Sequence, residues 1–115
     1  MPEAQPETVI ASTAAQLSHR MATRLKMKHL LLLRAISEQG TLTRVAERMA
    51  TSQPAVTQAL AELESLFGAP LFVRSGRGME PTELGTLVLA RARGMLADLD
   101  HWAKDIEAVG QQRAA

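Results

Sequence analysis

The sequence predicts a mainly α-helical fold: three short helices, a two-stranded hairpin and one long final helix. Three observations carry this prediction. Apolar residues recur every three or four positions along most of the chain. The clearest break in that period, around Leu71 to Glu80, is a short apolar run, a turn with two glycines and a second short run. Aromatic residues are only 3% of the chain, namely Phe67, Phe72 and Trp102, which argues against a β-rich sandwich or barrel and against a stacking platform for single-stranded nucleic acid. A length of 115 residues accommodates one domain of ordinary size and no second full one.

Residues 1–24 form an N-terminal extension that opens with Pro2 and Pro6. Ile10, Ala14, Leu17 and Met21 keep helical spacing within it, so a helix and a disordered arm both remain open. The next helix spans about Leu25 to Gln39, with Leu30, Leu33 and Ile36 on one face and Gly40 as its stop. A second covers about Thr41 to Ala50, capped by Thr41 and burying Leu42, Val45, Ala46 and Met49. Ser52 caps the third, which carries Pro54 in its first turn, where a missing N–H costs little. Val56, Leu60, Leu63 and Phe67 face inward, and Gly68 closes that helix. Leu71–Arg74 reads as a strand, Ser75–Gly78 as a turn and Met79–Glu80 as the returning strand, ended by Pro81. Thr82 and Glu83 then start the last helix as cap and first-turn acid.

That helix extends to about Val109 and carries Val88, Ala92, Met95, Leu99, Trp102, Ile106 and Val109 at alternating steps of four and three. This is a heptad seam. Such a helix is roughly 40 Å long, whereas a domain of about 80 residues is only ~25 Å across. Part of the seam therefore needs a partner, unless the helix folds back on its own core.

Cysteine is absent, which removes disulfides, thiolate metal sites and thiol nucleophiles, and suits a cytoplasmic protein. The longest run of large apolar residues is Leu30 to Leu33, too short for a membrane span. Residues 1–18 hold no Lys or Arg, against a secretory signal. His19, His29 and His101 have no metal-site or triad spacing, so neither an enzyme nor a cofactor is expected. Asp98, Asp100, Asp105 and Glu107 read as the solvated flank of the seam. The net charge of +1 conceals a pattern. Residues 20–93 hold eleven basic against six acidic groups, while both ends are acidic. A basic middle attracts a polyanion.

Two short helices joined by a tight turn read as a helix-turn-helix. The outer face of the second shows Gln53, Thr57, Gln58 and Ala61 near a helix start. Gln pairs bidentately with adenine, and Thr reaches a base edge or a thymine methyl. Alone, the same pattern also describes a three-helix bundle with a solvated polar face. The hairpin that follows, with Arg74 and Arg77 around a glycine-rich tip, completes a winged helix-turn-helix. Arginine at such a tip suits the negative field of a minor groove.

Residues 27–105 resemble the N-terminal domain of LysR-type transcriptional regulators. The resemblance is carried by Glu38–Met49, Ser52–Leu60, Leu63-Glu64, Phe67-Gly68, Leu71–Arg74, Ser75–Gly78 and Pro81–Gly85. It implies a bacterial transcription factor that binds duplex DNA as a homodimer through the long linker helices, on an operator with imperfect dyad symmetry. It puts Ser52, Gln53, Pro54, Thr57 and Gln58 at the major groove, Thr43, Arg44 and Arg48 near phosphates, and Arg74 and Arg77 on the wing. Many relatives carry Arg at the position of Gln58, so base preference there should differ, and residues 1–24 are extra.

The expected organisation is an extension (1–24), a winged DNA-binding domain (25–82), a linker helix (83–110) and a tail (111–115). The effector-binding domain usual in this family is expected to be absent, with any small-molecule effector acting only through it. The rival expectation is a winged-helix and coiled-coil module that binds protein rather than DNA.

Overall fold

The computed structural model describes residues 12–114. It contains α1 (Ala14–Arg24), α2 (Met27–Gln39), α3 (Leu42–Arg48), α4 (Gln53–Phe67), β1 (Phe72–Ser75), β2 (Gly78–Pro81) and α5 (Glu83–Ala114). The extension therefore contributes a helix, although Ile10 of its predicted stripe lies outside the described residues. A reciprocal cap starts α1: Thr13 Oγ1 accepts from Gln16 N and Gln16 Oε1 accepts from Thr13 N. Leu17, Met21 and Leu25 pack against the core, and Arg20 Nε donates to the Leu66 carbonyl of α4 at 3.2 Å. Leu25 ends α1, so α2 begins two residues later than the sequence suggests.

The core forms where α2, α3 and α4 meet, around the fully buried Leu33, Ile36, Val45 and Leu63. Thr41 and Ser52 cap α3 and α4 as expected, accepting from Arg44 N and Ala55 N. The second helix stops at Arg48 rather than near Ala50, because Ala50 turns left-handed at φ 55°. That conformation costs a non-glycine residue about 1 kcal/mol, and it lets Thr51 N reach the Ala46 carbonyl at 2.9 Å.

The hairpin is antiparallel, pairing Phe72 with Pro81 and Ser75 with Gly78. Pro81 is thus the last paired residue rather than the stop beyond the pairing, which an edge strand tolerates. Met79 N donates to the Gly40 carbonyl and fastens β2 to the end of α2. Gly78 lies so close to that carbonyl that a side chain there would collide with it, and its φ of 112° excludes ordinary residues as well.

The final helix has 32 residues and divides into two halves. Gly85, Leu89, Ala92 and Leu96 are buried on the domain, and Arg93 Nη2 donates to Ser37 Oγ of α2. This corrects the predicted seam. Ala92 is only 2% exposed and belongs to the domain's own core, while Val88 is half-buried at the core edge. The apolar stripe changes face along the helix, so its first turns cover α2 and only Met95, Leu99, Trp102, Ile106 and Val109 point outward. Among the described residues, no helix is long and apolar enough to cross a membrane.

The closest approach in the fold is at Gly85. A Cβ there would overlap the Leu71 carbonyl oxygen, a backbone atom that cannot swing aside. Gly85→Ala should lower stability by about 1–3 kcal/mol as overpacking, read as a reduced urea midpoint. An unchanged midpoint would mean that α5 stands away from Leu71.

Candidate nucleic-acid interface

The polar face of α4 is set from both of its ends. Ser52 Oγ holds the first turn at Ala55 N, and Pro54 occupies a position where an N–H would have no helical partner. Val56, Leu60, Leu63, Leu66 and Phe67 bury the opposite face. Gln53, Pro54, Thr57, Gln58 and Ala61 are thereby left exposed and line one shallow concave surface. Thr43 Oγ1 on α3 donates to Gln53 Oε1 at 3.3 Å, which directs the Gln53 amide hydrogens outward. Gln58 Nε2 leans toward Glu62 Oε2 at 3.4 Å. The surface offers a hydroxyl and two amides, the short donors and acceptors that suit base edges.

The predicted basic residues fall into three settings. Arg44 is exposed on α3. Arg48 is ion-paired to Glu38 of α2 at 2.7 Å, so its guanidinium is partly committed within the domain. Arg74 and Arg77 are exposed on the hairpin. Its tip is stiffened by Ser75, whose Oγ accepts from Arg77 N and donates to Glu80 Oε2 at 2.7 Å. The structure thus brings Thr43 onto the Ser52–Gln58 surface, while Arg48 is drawn aside toward α2.

Several positioning residues escaped the sequence reading. Glu64 Oε2 accepts from Leu71 N at 2.7 Å and Phe72 N at 3.3 Å, tying the base of the hairpin to α4. Thr82 N donates to the Leu71 carbonyl and Thr82 Oγ1 to the Pro70 carbonyl, fixing the start of α5. Near the other end of α4, Arg24, Lys26 and Lys28 share an open cleft with Ala61, Glu62 and Ser65. The only signal in the sequence was the density of cations between Arg20 and Lys28. His29 beside them is buried, and its Nδ1 accepts from Lys26 N at 3.0 Å. Burial pushes the imidazole below its ordinary value of 6.5, with the Lys28 and Lys26 charges adding to that and Glu62 opposing it.

Residues 27–86 match the family described as bacterial regulatory helix-turn-helix protein, lysR family. The small neutral protease regulatory protein of Streptomyces coelicolor is 39% identical over 84 residues, covering 73% of this chain and 26% of that protein. The HTH-type transcriptional regulator GbpR of Azospirillum brasilense is 38% identical over 86 residues, 75% of this chain and 25% of that protein. The chain therefore spans about a quarter of the length of these curated relatives. Among solved structures, the DNA-binding domain of CbnR in complex with DNA superposes with a TM-score of 0.68 at 30% identity. That match covers 75% of this chain and 99% of the CbnR domain.

The His29 environment has a stability consequence. The folded state favours the neutral ring, so its contribution is complete above about pH 6.5. As pH falls through that value, the unfolded chain takes up a proton first and stability declines until the lowered folded pKa is reached. Urea midpoints should fall between pH 7.5 and 5.5, and His29→Gln should flatten that fall. An equally steep fall in His29→Gln would remove His29 as its source.

Proposed function

Because the chain belongs to the lysR family of bacterial regulatory helix-turn-helix proteins, we propose that it docks on duplex DNA as a homodimer and reads sequence with α4. The observation that carries this reading is the exposed Gln53–Pro54–Thr57–Gln58 surface, held rigid by the Ser52 cap and a fully apolar inner face. A major groove accepts one such helix. Ser52, Gln53, Pro54, Thr57 and Gln58 face the base pairs in this arrangement. Thr43 and Arg44 meet the adjoining phosphates, and Arg74 and Arg77 place the wing at a minor groove. Arg48 contributes less than Arg44, since a phosphate competes with Glu38 for it. Residues 25–82 are the docking unit and 83–110 the linker. The mechanism is binding, with no bond chemistry, and the regulators that share this family support it. The CbnR complex, a relative holding DNA with the same fold, weighs against a module that binds only protein. An operator as target places the work in the bacterial cytoplasm.

The dimer is formed by the outward stripe of α5. Met95, Leu99, Trp102, Ile106 and Val109 are all exposed, Trp102 by 63%. Their steps of four and three suit a second helix of the same kind. The separation of the two α4 helices then selects the half-site spacing.

Selection of bound duplexes from a random pool is the direct test. An enriched inverted repeat supports the reading, and no enrichment by a folded dimer refutes it. Arg77→Ala should weaken binding to the selected duplex by roughly 1–3 kcal/mol, and an unchanged isotherm at 150 mM salt would exclude Arg77. Leu99→Asp should dissociate the dimer, because it sets a charge in an apolar seam. Sedimentation of that variant as an intact dimer would reassign the interface.

A further inference from the structure

We propose that the turn joining α1 to α2, with Arg24, Lys26 and Lys28, is a second phosphate-binding edge that grips the DNA backbone flanking the site read by α4. This rests on the duplex binding proposed above and extends it to residues outside that site. Arg24 and Lys26 precede the segment that matches the family, so this edge is an addition of this chain.

Position is the first argument. The three cations line a cleft of about 640 Å³ whose other wall is α4, at Ala61, Glu62 and Ser65. Ala61 also lines the concave surface formed with Gln53, Thr57 and Gln58. The basic edge therefore continues the reading surface directly. Ser65 lies one turn beyond Ala61, about 6 Å along the axis. A helix whose first turns enter a major groove passes the bordering phosphates with its later turns, which is where these side chains stand.

Rigidity is the second argument. A cation on a loose arm loses entropy when it binds, whereas α1 is already docked. Arg20 Nε bonds the Leu66 carbonyl, Leu17, Met21 and Leu25 pack on the core, and Leu25 N closes α1 on the Met21 carbonyl.

Charge is the third. Three cations face a single carboxylate, Glu62, around this cleft. Lys28 and Lys26 both disfavour protonation of His29, an independent sign that positive potential accumulates at the turn. The mixed cleft is open rather than enclosed, which suits a continuous polyanion better than a small ligand that must be surrounded.

The test uses the full chain and the selected duplex with several extra base pairs on each side, titrated between 50 and 200 mM salt. Arg24→Ala/Lys26→Ala should make the plot of log affinity against log salt shallower by about two per protomer, close to 0.9 for each phosphate released. The ranking of base substitutions in the site should stay the same. On a duplex trimmed to the edge of the site, the double variant and the parent chain should converge. Lys104→Ala/Arg113→Ala, at the far end of α5, controls for net charge and should leave the slope unaltered. Arg24→Gln/Lys26→Gln, checked for parental helix content, gives the same reading if the alanine pair unfolds α1. An unchanged slope in a folded variant overturns the second edge while leaving DNA binding intact. So does an equal change in the distant control. Failure of the parent chain to bind any duplex overturns the DNA reading, and this edge with it.

Discussion

On α4, the Glu64 carboxylate accepts the Leu71 N–H at 2.7 Å and the Phe72 N–H at 3.3 Å. The Leu71 carbonyl accepts Thr82 N at 3.0 Å, and its side chain is fully buried. Gly85 presses against the same carbonyl. One peptide segment thus meets the helix that carries the polar face, the base of the hairpin and the start of α5. Hydrogen bonds to a charged group contribute about 1.5–3 kcal/mol when well placed. Here they also hold three elements at fixed mutual angles. An arrangement that must match a groove, a neighbouring groove and a dyad at once depends on such a junction more than on any single contact to DNA.

Local rules account for most of what the sequence disclosed. Thr41, Ser52 and Thr82 are caps because their hydroxyls bond an N–H three residues on, a fact that needs no tertiary knowledge. The groove-facing set was readable for the same reason, since Ser52-Gln53-Pro54 marks a helix start and Val56, Leu60 and Leu63 mark its inner face. The family resemblance supplied the roles. What escaped was non-local. Glu64 looks like any surface carboxylate until Leu71 and Phe72 arrive seven and eight residues later. Arg48 looks free until α2 brings Glu38 to it. Ala92 fits a heptad seam and a core stripe equally well, and only the packing of α5 on α2 decides between them. Ala50 carries no mark of a left-handed turn.

Charge is segregated along the same framework. The basic groups cluster from the α1–α2 turn through α3 to the hairpin, while Asp98, Asp100, Asp105 and Glu107 are exposed on the outer half of α5. In the proposed complex, acidic groups beside the seam repel the DNA backbone and basic groups near the domain attract it. The two signs orient the molecule before any short-range contact forms. The formal net charge, near zero, gives no hint of this dipole.

The grip of α5 on its domain ends near Leu96, while the helix continues without interruption to Ala114. About 27 Å of rod lies beyond the last buried residue. Such a rod acts as a lever: a tilt of about 10° at its root moves its far end by roughly 5 Å. Side chains such as Ser37, Leu89 and Arg93, which touch no DNA in the proposed complex, therefore set a mechanical angle. Two relatives with identical groove-facing residues can then favour different operator spacings. Drift at the root of the lever is enough to retune which genes such a protein addresses, with its chemical alphabet unchanged.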